Sequence, residues 1–319
     1  MSTSLLRFPS VVPVLNGSQN PAASGTVCTI GNFDGLHRGH LKLLGRVREV
    51  ARERNLSSAV LSFYPHPLQV LRPEIAPKTI SPLRESLRIL GEERIDLFYL
   101  IRFTRELAEW PPERFLTEIL SEKLRCSFLV IGPDAHIGKD RAGTPEVLSA
   151  LSERMGWGFE VASLLAGRDG KKIGSRQIRD LLLDGEVETA AELLGRDFVI
   201  EGYVRHGDGR GRTIGVPTAN VHQADPPPLK KGVYAAMAVL PPEVQRIPAV
   251  VNVGERPTFG GEGLRVEAHL LDGNDWDLYG RYMRLELKRF LRPEKKFSGV
   301  EELVHQIKAD IVQARELLK

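Results

Sequence analysis

Residues 26–40 read TVCTIGNFDGLHRGH, and the order of their chemistry sets the class of fold. Thr26 to Ile30 is a short apolar run, Gly31 breaks it, and a polar loop follows. Downstream, Leu43, Val47, Val50 and Ala51 recur at i, i+4, i+7 and i+8, the stripe of an amphipathic helix. Strand, loop and helix therefore succeed one another. Further apolar runs at 59–63, 97–101 and 128–131 alternate with helical patterns at 83–92, 113–123 and 146–155. This alternation predicts a parallel sheet with helices on both faces. Ligands of such sheets bind at the carboxyl ends of the strands, here in the loops after Ile30, Phe63 and Ile131.

His37 and His40 stand three apart where the first helix begins, so both can address one group, with Gly39 leaving room for it. A helix N-terminus already attracts anions through its free N–H groups and macrodipole. Two imidazoles added there suit charge developing on a phosphate during nucleotidyl transfer. A capped helix with two ordinary histidines, or a metal pair, has the same sequence.

The pattern changes near Gly195. Helical stretches at 175–183 and 187–194 give way to short strands at 198–205, 232–239, 247–253, 266–271 and 282–290, the spacing of a small β-barrel or sandwich. A closing helix carries Val300, Val304, Ile307, Ile311 and Leu318 along one face, expected to pack on the barrel. Two domains are expected, 1–195 and 196–319. Within the second, residues 202–220 read GYVRHGDGRGRTIGVPTAN, with five glycines and the arginines Arg205, Arg210 and Arg212. This is a mobile basic loop running into a short polar strand. Glycine lets backbone N–H groups crowd an anion, and arginine offers planar forks to phosphate. Thr218 and Asn220, two apart in an extended strand, share a face and suit Mg²⁺, which takes one or two protein oxygens and leaves the rest to water and phosphates. A glycine-rich hairpin with solvated arginines has the same composition.

The 319 residues, 42% hydrophobic and 27% charged, describe a globular protein with sizeable cores. A formal charge of +3 fits anionic small molecules at least as well as nucleic acid, which asks for a concentrated basic face. Cys28 and Cys126 sit in apolar, strand-like surroundings and read as buried thiols, with no zinc motif nearby. The N-terminal MSTSLLRFPSVVPVLN is not a signal peptide, and no run reaches the ~18 apolar residues of a membrane span. Cytoplasmic location is the default expectation.

The stretch from Gly202 to Pro217-Thr218-Ala219-Asn220 closely resembles the riboflavin kinase signature. With HxGH at 37–40, Phe63-Tyr64-Pro65-His66-Pro67, Gly132-Pro133-Asp134, Gly232-Val233-Tyr234 and the segments 252–259, 266–271 and 290–297, nearly the whole chain resembles the bacterial bifunctional riboflavin kinase/FMN adenylyltransferases. The resemblance implies a Rossmann-like nucleotidyltransferase domain followed by a small antiparallel β-barrel kinase with a C-terminal helix. It implies riboflavin, FMN and ATP as substrates, FAD as product and Mg²⁺ as cofactor, with no nucleic-acid or membrane partner. In the first domain, Gly31, Asn32, His37, Gly39, His40, Ser175 and Arg179 would serve ATP, and Pro65, His66 and Asp134 the flavin. A proline-flanked histidine also serves as a loop restraint.

In the kinase domain Glu267 would be the catalytic carboxylate, Thr218 and Asn220 the magnesium ligands, and Gly207, Gly209, Arg210, Gly211 and Arg212 the cover over ATP. Asn252 and Arg292 would reach the flavin. From the residues alone, Glu267 equally describes an exposed strand carboxylate and Arg292 a surface ion pair. Two departures stand out. Gly132-Pro133-Asp134-Ala135-His136-Ile137-Gly138 replaces the family's GxDFxFG, and Gly174-Ser175-Arg176-Gln177-Ile178-Arg179 replaces SSTxIR. These leave a second reading open, a kinase whose N-terminal domain has become a structural or regulatory flavin-binding module. HxGH also occurs in class I aminoacyl-tRNA synthetases, but no basic RNA-binding appendage is present.

Overall fold

In the first part of the chain, strands alternate with helices. The computed structural model describes residues 12–13 and 24–319, apart from 164, 166, 168, 169, 171, 208–210, 212, 213, 224, 243, 244, 257–262, 274 and 275. These form two compact units, 1–77 with 83–173, and 78–82 with 174–319.

The first unit is built on β1 (Val12–Pro13), β2 (Thr26–Ile30), β3 (Ser57–Tyr64), β4 (Leu97–Arg102), β5 (Cys126–Ile131) and β6 (Gly158–Val161), with spatial order β1-β4-β3-β2-β5-β6. All neighbouring strands run parallel except β1 against β4. Alternation along the strands loads both faces. Cys28, Ile30, Leu61, Leu129 and Ile131 meet Phe115, Leu116, Leu120 and Leu148 on one side. Val27, Phe128 and Val130 pack on Val47, Val50 and Ala51 of α1 (Arg38–Arg54) on the other, with Val60 and Phe98 beside Leu44 and Ile89. Leu44 is fully buried with Val47 and Val50 on that helix stripe, and Leu43 is half-buried. Strand order turns back at β2, so the loops after β2 and β5 lie on either side of the switch point, where open α/β sheets bind ligands. Both cysteines are free and buried, and burial followed by the neighbouring Cys28 pushes the Cys126 thiol up, away from reactivity.

The second unit is a closed antiparallel barrel. Its strands are β7 (Phe198–Arg205), β8 (Ala219–His222), β9 (Gly232–Val239), β10 (Arg246–Arg256), β11 (Gly263–Leu270) and β12 (Tyr282–Arg292), in the order β10-β11-β8-β7-β12-β9. Closure gives every strand two neighbours, with the short β8 meeting β11 at 266–268 and β7 at 203–205. The inward side chains include Val204, Val221, Val266, Val251 and Tyr234, all buried. Outside, Val233, Ala235 and Val250 are covered by Ile311, Ala314 and Leu318 around the C-terminal helix α2 (Val300–Leu317). That face is shifted from the expected stripe, since Val300 is 61% exposed and the most buried positions are Asp310 and Ala314. Asp310 takes its place because Arg292 neutralises it. Helices α3 (Ser175–Asp184) and α4 (Val187–Leu194) fold with the barrel. A Cβ on Gly185 between them would lie 2.9 Å from Lys230 and 3.3 Å from Phe290, Lys230 Nζ donates to the Asp184 carbonyl (3.0 Å), and Arg289 pairs with Glu188.

Candidate active sites

In the first unit, the loop from Gly31 to His37 turns sharply because Phe33 and Leu36 adopt positive φ (46° and 39°), held there by burial. A Cβ on Gly31 would lie 3.2 Å from the Phe33 ring, so the glycine makes room for that aromatic. His37 is the N-cap of α1, its Nδ1 accepting the His40 N–H at 3.3 Å. An Nδ1 that accepts leaves the proton on Nε2, and His37 is thereby a neutral imidazole presenting a donor. The His37 and His40 rings stack at 3.7 Å, and the edge of Phe33 braces His40. Capping and pairing of the two histidines are thus the same arrangement. A Cβ on Gly39 would stand 3.1 Å from His37 Nδ1, so the glycine lets that ring lie over the start of the helix. The first turn of α1 carries no acidic residue to oppose an anion.

His66 is the N-cap of a short helix at 67–71, Nδ1 accepting the Leu68 N–H at 3.2 Å. Its Nε2 lies 3.2 Å from the Asn32 amide. The loops after β2 and β3 are joined by this bond, next to Pro65, whose peptide with Tyr64 is cis. His66 thus ties the loops after β2 and β3 at the carboxyl end of the sheet. Asp134, after β5, pairs with Lys172. Ser175 and Arg179 lie on α3 in the second unit, Arg179 Nε donating to the Lys78 carbonyl at 2.8 Å.

In the barrel, strand register gathers the expected residues onto one rung. Arg205 is opposite Asn220, Asn220 opposite Glu267, Glu267 opposite Asn252, Asn252 opposite Val233, and Val233 opposite Arg292. Directly paired residues of antiparallel strands share a face, and this is the outer one, which the C-terminal helix partly covers. Glu267 is no solvated strand carboxylate: its side chain is 19% exposed and its Oε1 accepts from Arg265 Nη2 at 2.6 Å. Arg292 is committed to Asp310 of the C-terminal helix, Nε lying 2.9 Å from Oδ1 and Nη2 2.8 Å from Oδ2. The surface ion pair is therefore a largely buried one.

Gly207 and Gly211 lie close to the two expected magnesium ligands. A Cβ on Gly207 would lie 2.2 Å from the Asn220 amide nitrogen, and one on Gly211 3.2 Å from the Thr218 hydroxyl. Their role is close approach to those side chains. Gly209, Arg210 and Arg212 lie outside the described residues. Sequence reading passed over Arg265 and His269, although both sit two residues from Glu267 and so share its face of β11. Beside the rung, His206 stacks on Tyr279 at 3.8 Å, offering an exposed aromatic surface.

An α/β unit with a histidine-capped helix at its switch point, followed by a barrel with a carboxylate flanked by two asparagines, fits a transferase that works on phosphate esters in two places. The particular family follows from comparison. The family model described as FAD synthetase matches residues 19–177, and that described as riboflavin kinase matches 194–318. The bifunctional riboflavin kinase/FMN adenylyltransferase of Escherichia coli (strain K12) is 41% identical over 94% of this chain and 95% of its own length. That of Pseudomonas fluorescens is 37% identical (93% and 94%), and that of Bacillus subtilis (strain 168) 36% identical (91% of each). A solved structure described as the macrolide-efflux protein from Streptococcus pneumoniae matches with a TM-score of 0.80 and 30% identity, over 93% of this chain and 96% of that one. Among the described residues no helix is long and apolar enough to cross a membrane. The chain belongs to the bifunctional riboflavin kinase/FMN adenylyltransferase family.

Proposed function

We propose that this chain makes FAD in two steps: riboflavin and ATP give FMN and ADP at the barrel, then FMN and ATP give FAD and pyrophosphate in the first unit. Both domain matches and bifunctional relatives support this pair of activities over a kinase alone. The observation that carries the first step is the rung Asn220–Glu267–Asn252. Glu267, with Oε1 held by Arg265, takes the proton of the ribityl 5′-hydroxyl as that oxygen attacks the γ-phosphorus and ADP departs. The donor set of Thr218 and Asn220, a hydroxyl and an amide oxygen with a glycine close to each, fits a hard cation such as Mg²⁺. Those two residues would hold it, and when bound it neutralises charge on the phosphates. Asn252, one pair from Glu267, orients the flavin, and Arg292 reaches that side while braced by Asp310.

In the first unit the FMN phosphate attacks the α-phosphorus of ATP and pyrophosphate leaves. His37 Nε2–H, His40 and the N-terminus of α1 meet the charge that develops on the phosphates. Asn32 and His66 fix the loops between which the flavin lies. We assign adenylyl transfer to residues 1–195 and phosphorylation to 196–319, in the cytoplasm where ATP and the vitamin meet. Because α3 and α4 fold with the barrel, a kinase fragment should begin at Gly174 rather than Arg196.

The test is Glu267→Gln in the full chain, with FMN and FAD followed by chromatography. FMN formation should fall by roughly 10²-fold or more, the scale of a lost general base, while FAD formation from supplied FMN persists. Full riboflavin turnover in that variant would remove Glu267 from the role, and absence of FAD from wild-type protein at any concentration would leave the kinase alone.

A further inference from the structure

Three polar side chains alternate onto the outer face of β11: Arg265, Glu267 and His269. The first holds the carboxylate of the second. The third reaches across to a different segment: His269 Nδ1 lies 2.7 Å from the carbonyl oxygen of Pro217. A carbonyl only accepts, so Nδ1 carries the proton and donates it.

The position of that bond gives it a consequence. The pairing of β8 with β11 runs through Val221–Val266, Asn220–Glu267 and Ala219–Ala268, and β8 begins at Ala219. Thr218, one of the two residues assigned to the cation, lies just beyond the end of that ladder. Pro217 before it has no N–H with which to extend a ladder. The imidazole supplies the next tie, so Thr218 is held between a strand pair on one side and a side-chain clamp on the other. Gly211 closes in on the same hydroxyl, its absent Cβ 3.2 Å away.

We propose that His269 is a positioning residue for phosphoryl transfer, whose Nδ1–H locks the Pro217 carbonyl and thereby fixes the Thr218 hydroxyl beside Asn220 for Mg²⁺·nucleotide. The inference rests on the reading of Thr218, Asn220 and Glu267 given above. It assigns His269 no contact with substrate. Its chemistry is one hydrogen bond whose loss loosens one metal ligand and leaves the other, Asn220, in its strand.

Side-chain isosteres separate this role from bulk packing. The amide nitrogen of asparagine stands where Nδ1 stands in histidine, and that of glutamine where Nε2 stands. His269→Asn therefore keeps the donor, and His269→Gln displaces it. In the full chain, backbone hydrogen exchange over residues 214–222 is followed by mass spectrometry as Mg²⁺ is titrated at saturating ADP, with riboflavin kinase velocity measured in parallel. For His269→Gln, the Mg²⁺ concentration giving half of the nucleotide-induced protection should rise about tenfold, the scale of one lost hydrogen bond, with the riboflavin KM unmoved. His269→Asn should stay within about threefold of wild type on the same principle. Should the glutamine variant melt early, His269→Ala, which removes the donor without added reach, replaces it. Equal Mg²⁺ requirements for the asparagine and donor-lacking variants, or a loss confined to the riboflavin KM, overturn the clamp. Glu267→Gln assayed alongside separates the two levels. If that variant keeps its turnover, the underlying reading of the site has failed. If it is inactive while both donor-keeping and donor-lacking variants match wild type, only the clamp has.

Discussion

Replacing Asp310 by asparagine removes one charge from a largely buried ion pair of the barrel unit. The Asp310 side chain is 3% exposed and accepts from Arg292 Nε (2.9 Å to Oδ1, 3.1 Å to Oδ2), Arg292 Nη2 (2.8 Å) and Gln306 Nε2 (2.9 Å). Asparagine keeps the volume and one acceptor oxygen, but turns an NH₂ group toward the guanidinium and leaves the arginine charge uncompensated. Breaking a buried pair from one side costs ~3–5 kcal/mol. The Arg292 side chain is 20% exposed and regains some hydration, which places the expectation near the lower end, about 3 kcal/mol. For a unit of this size that lowers the barrel's melting temperature by roughly 6–12 °C. Calorimetry of the full chain checks it, with hydrogen exchange over residues 300–317 to assign the affected transition, and the riboflavin KM should rise as Arg292 loses its brace. A shift under about 2 °C would refute the reasoning, because the pair would then contribute no more than an exposed salt bridge.

His40→Ala removes the ring stacked on His37 but leaves the His37 cap on a backbone N–H, so FAD formation should fall by about 10²-fold or more, as for a lost transition-state donor, while FMN formation is spared. Equal damage to both steps, seen by chromatography of the two products, would indicate misfolding instead. Gly207→Ala puts a methyl where the Asn220 amide now lies, and the backbone there tolerates alanine, so kinase turnover should drop with little change in melting temperature. Unchanged magnesium dependence in that variant would show that Asn220 can move without cost.

The α/β half of the fold was legible because its signals are redundant: apolar runs that fit buried parallel strands, each followed by a helical stripe. What escaped was local. β6 is a four-residue edge strand containing Gly158 and only half-buried, so no period marks it. The C-terminal helix was read by apolar spacing alone, which selects Val300 and cannot see that Asp310 becomes a core residue once Arg292 forks it. The same limit applies to the glycines. Composition, motif spacing and the family resemblance mark Gly31, Gly39, Gly207 and Gly211 as places where backbone meets a ligand, and in each case a neighbouring side chain also lies close to where the Cβ would stand.

For the barrel site, motif spacing named the residues and only register could relate them. Thr218–Asn220 and Glu267 are far apart in sequence, and a one-residue slip of β8 against β11 would turn the asparagine into the core and the carboxylate away from it. The apolar neighbours forbid that slip: Ala219, Val221, Val266 and Ala268 are all buried, and each slip would expose a pair of them. Hydrophobic alternation, which reads as plain barrel core, is therefore what holds an amide and a carboxylate opposite one another. Chemistry and packing on these two strands are one constraint: Val221→Asp or Val266→Asp should abolish kinase activity by loss of register, before any ligand is touched.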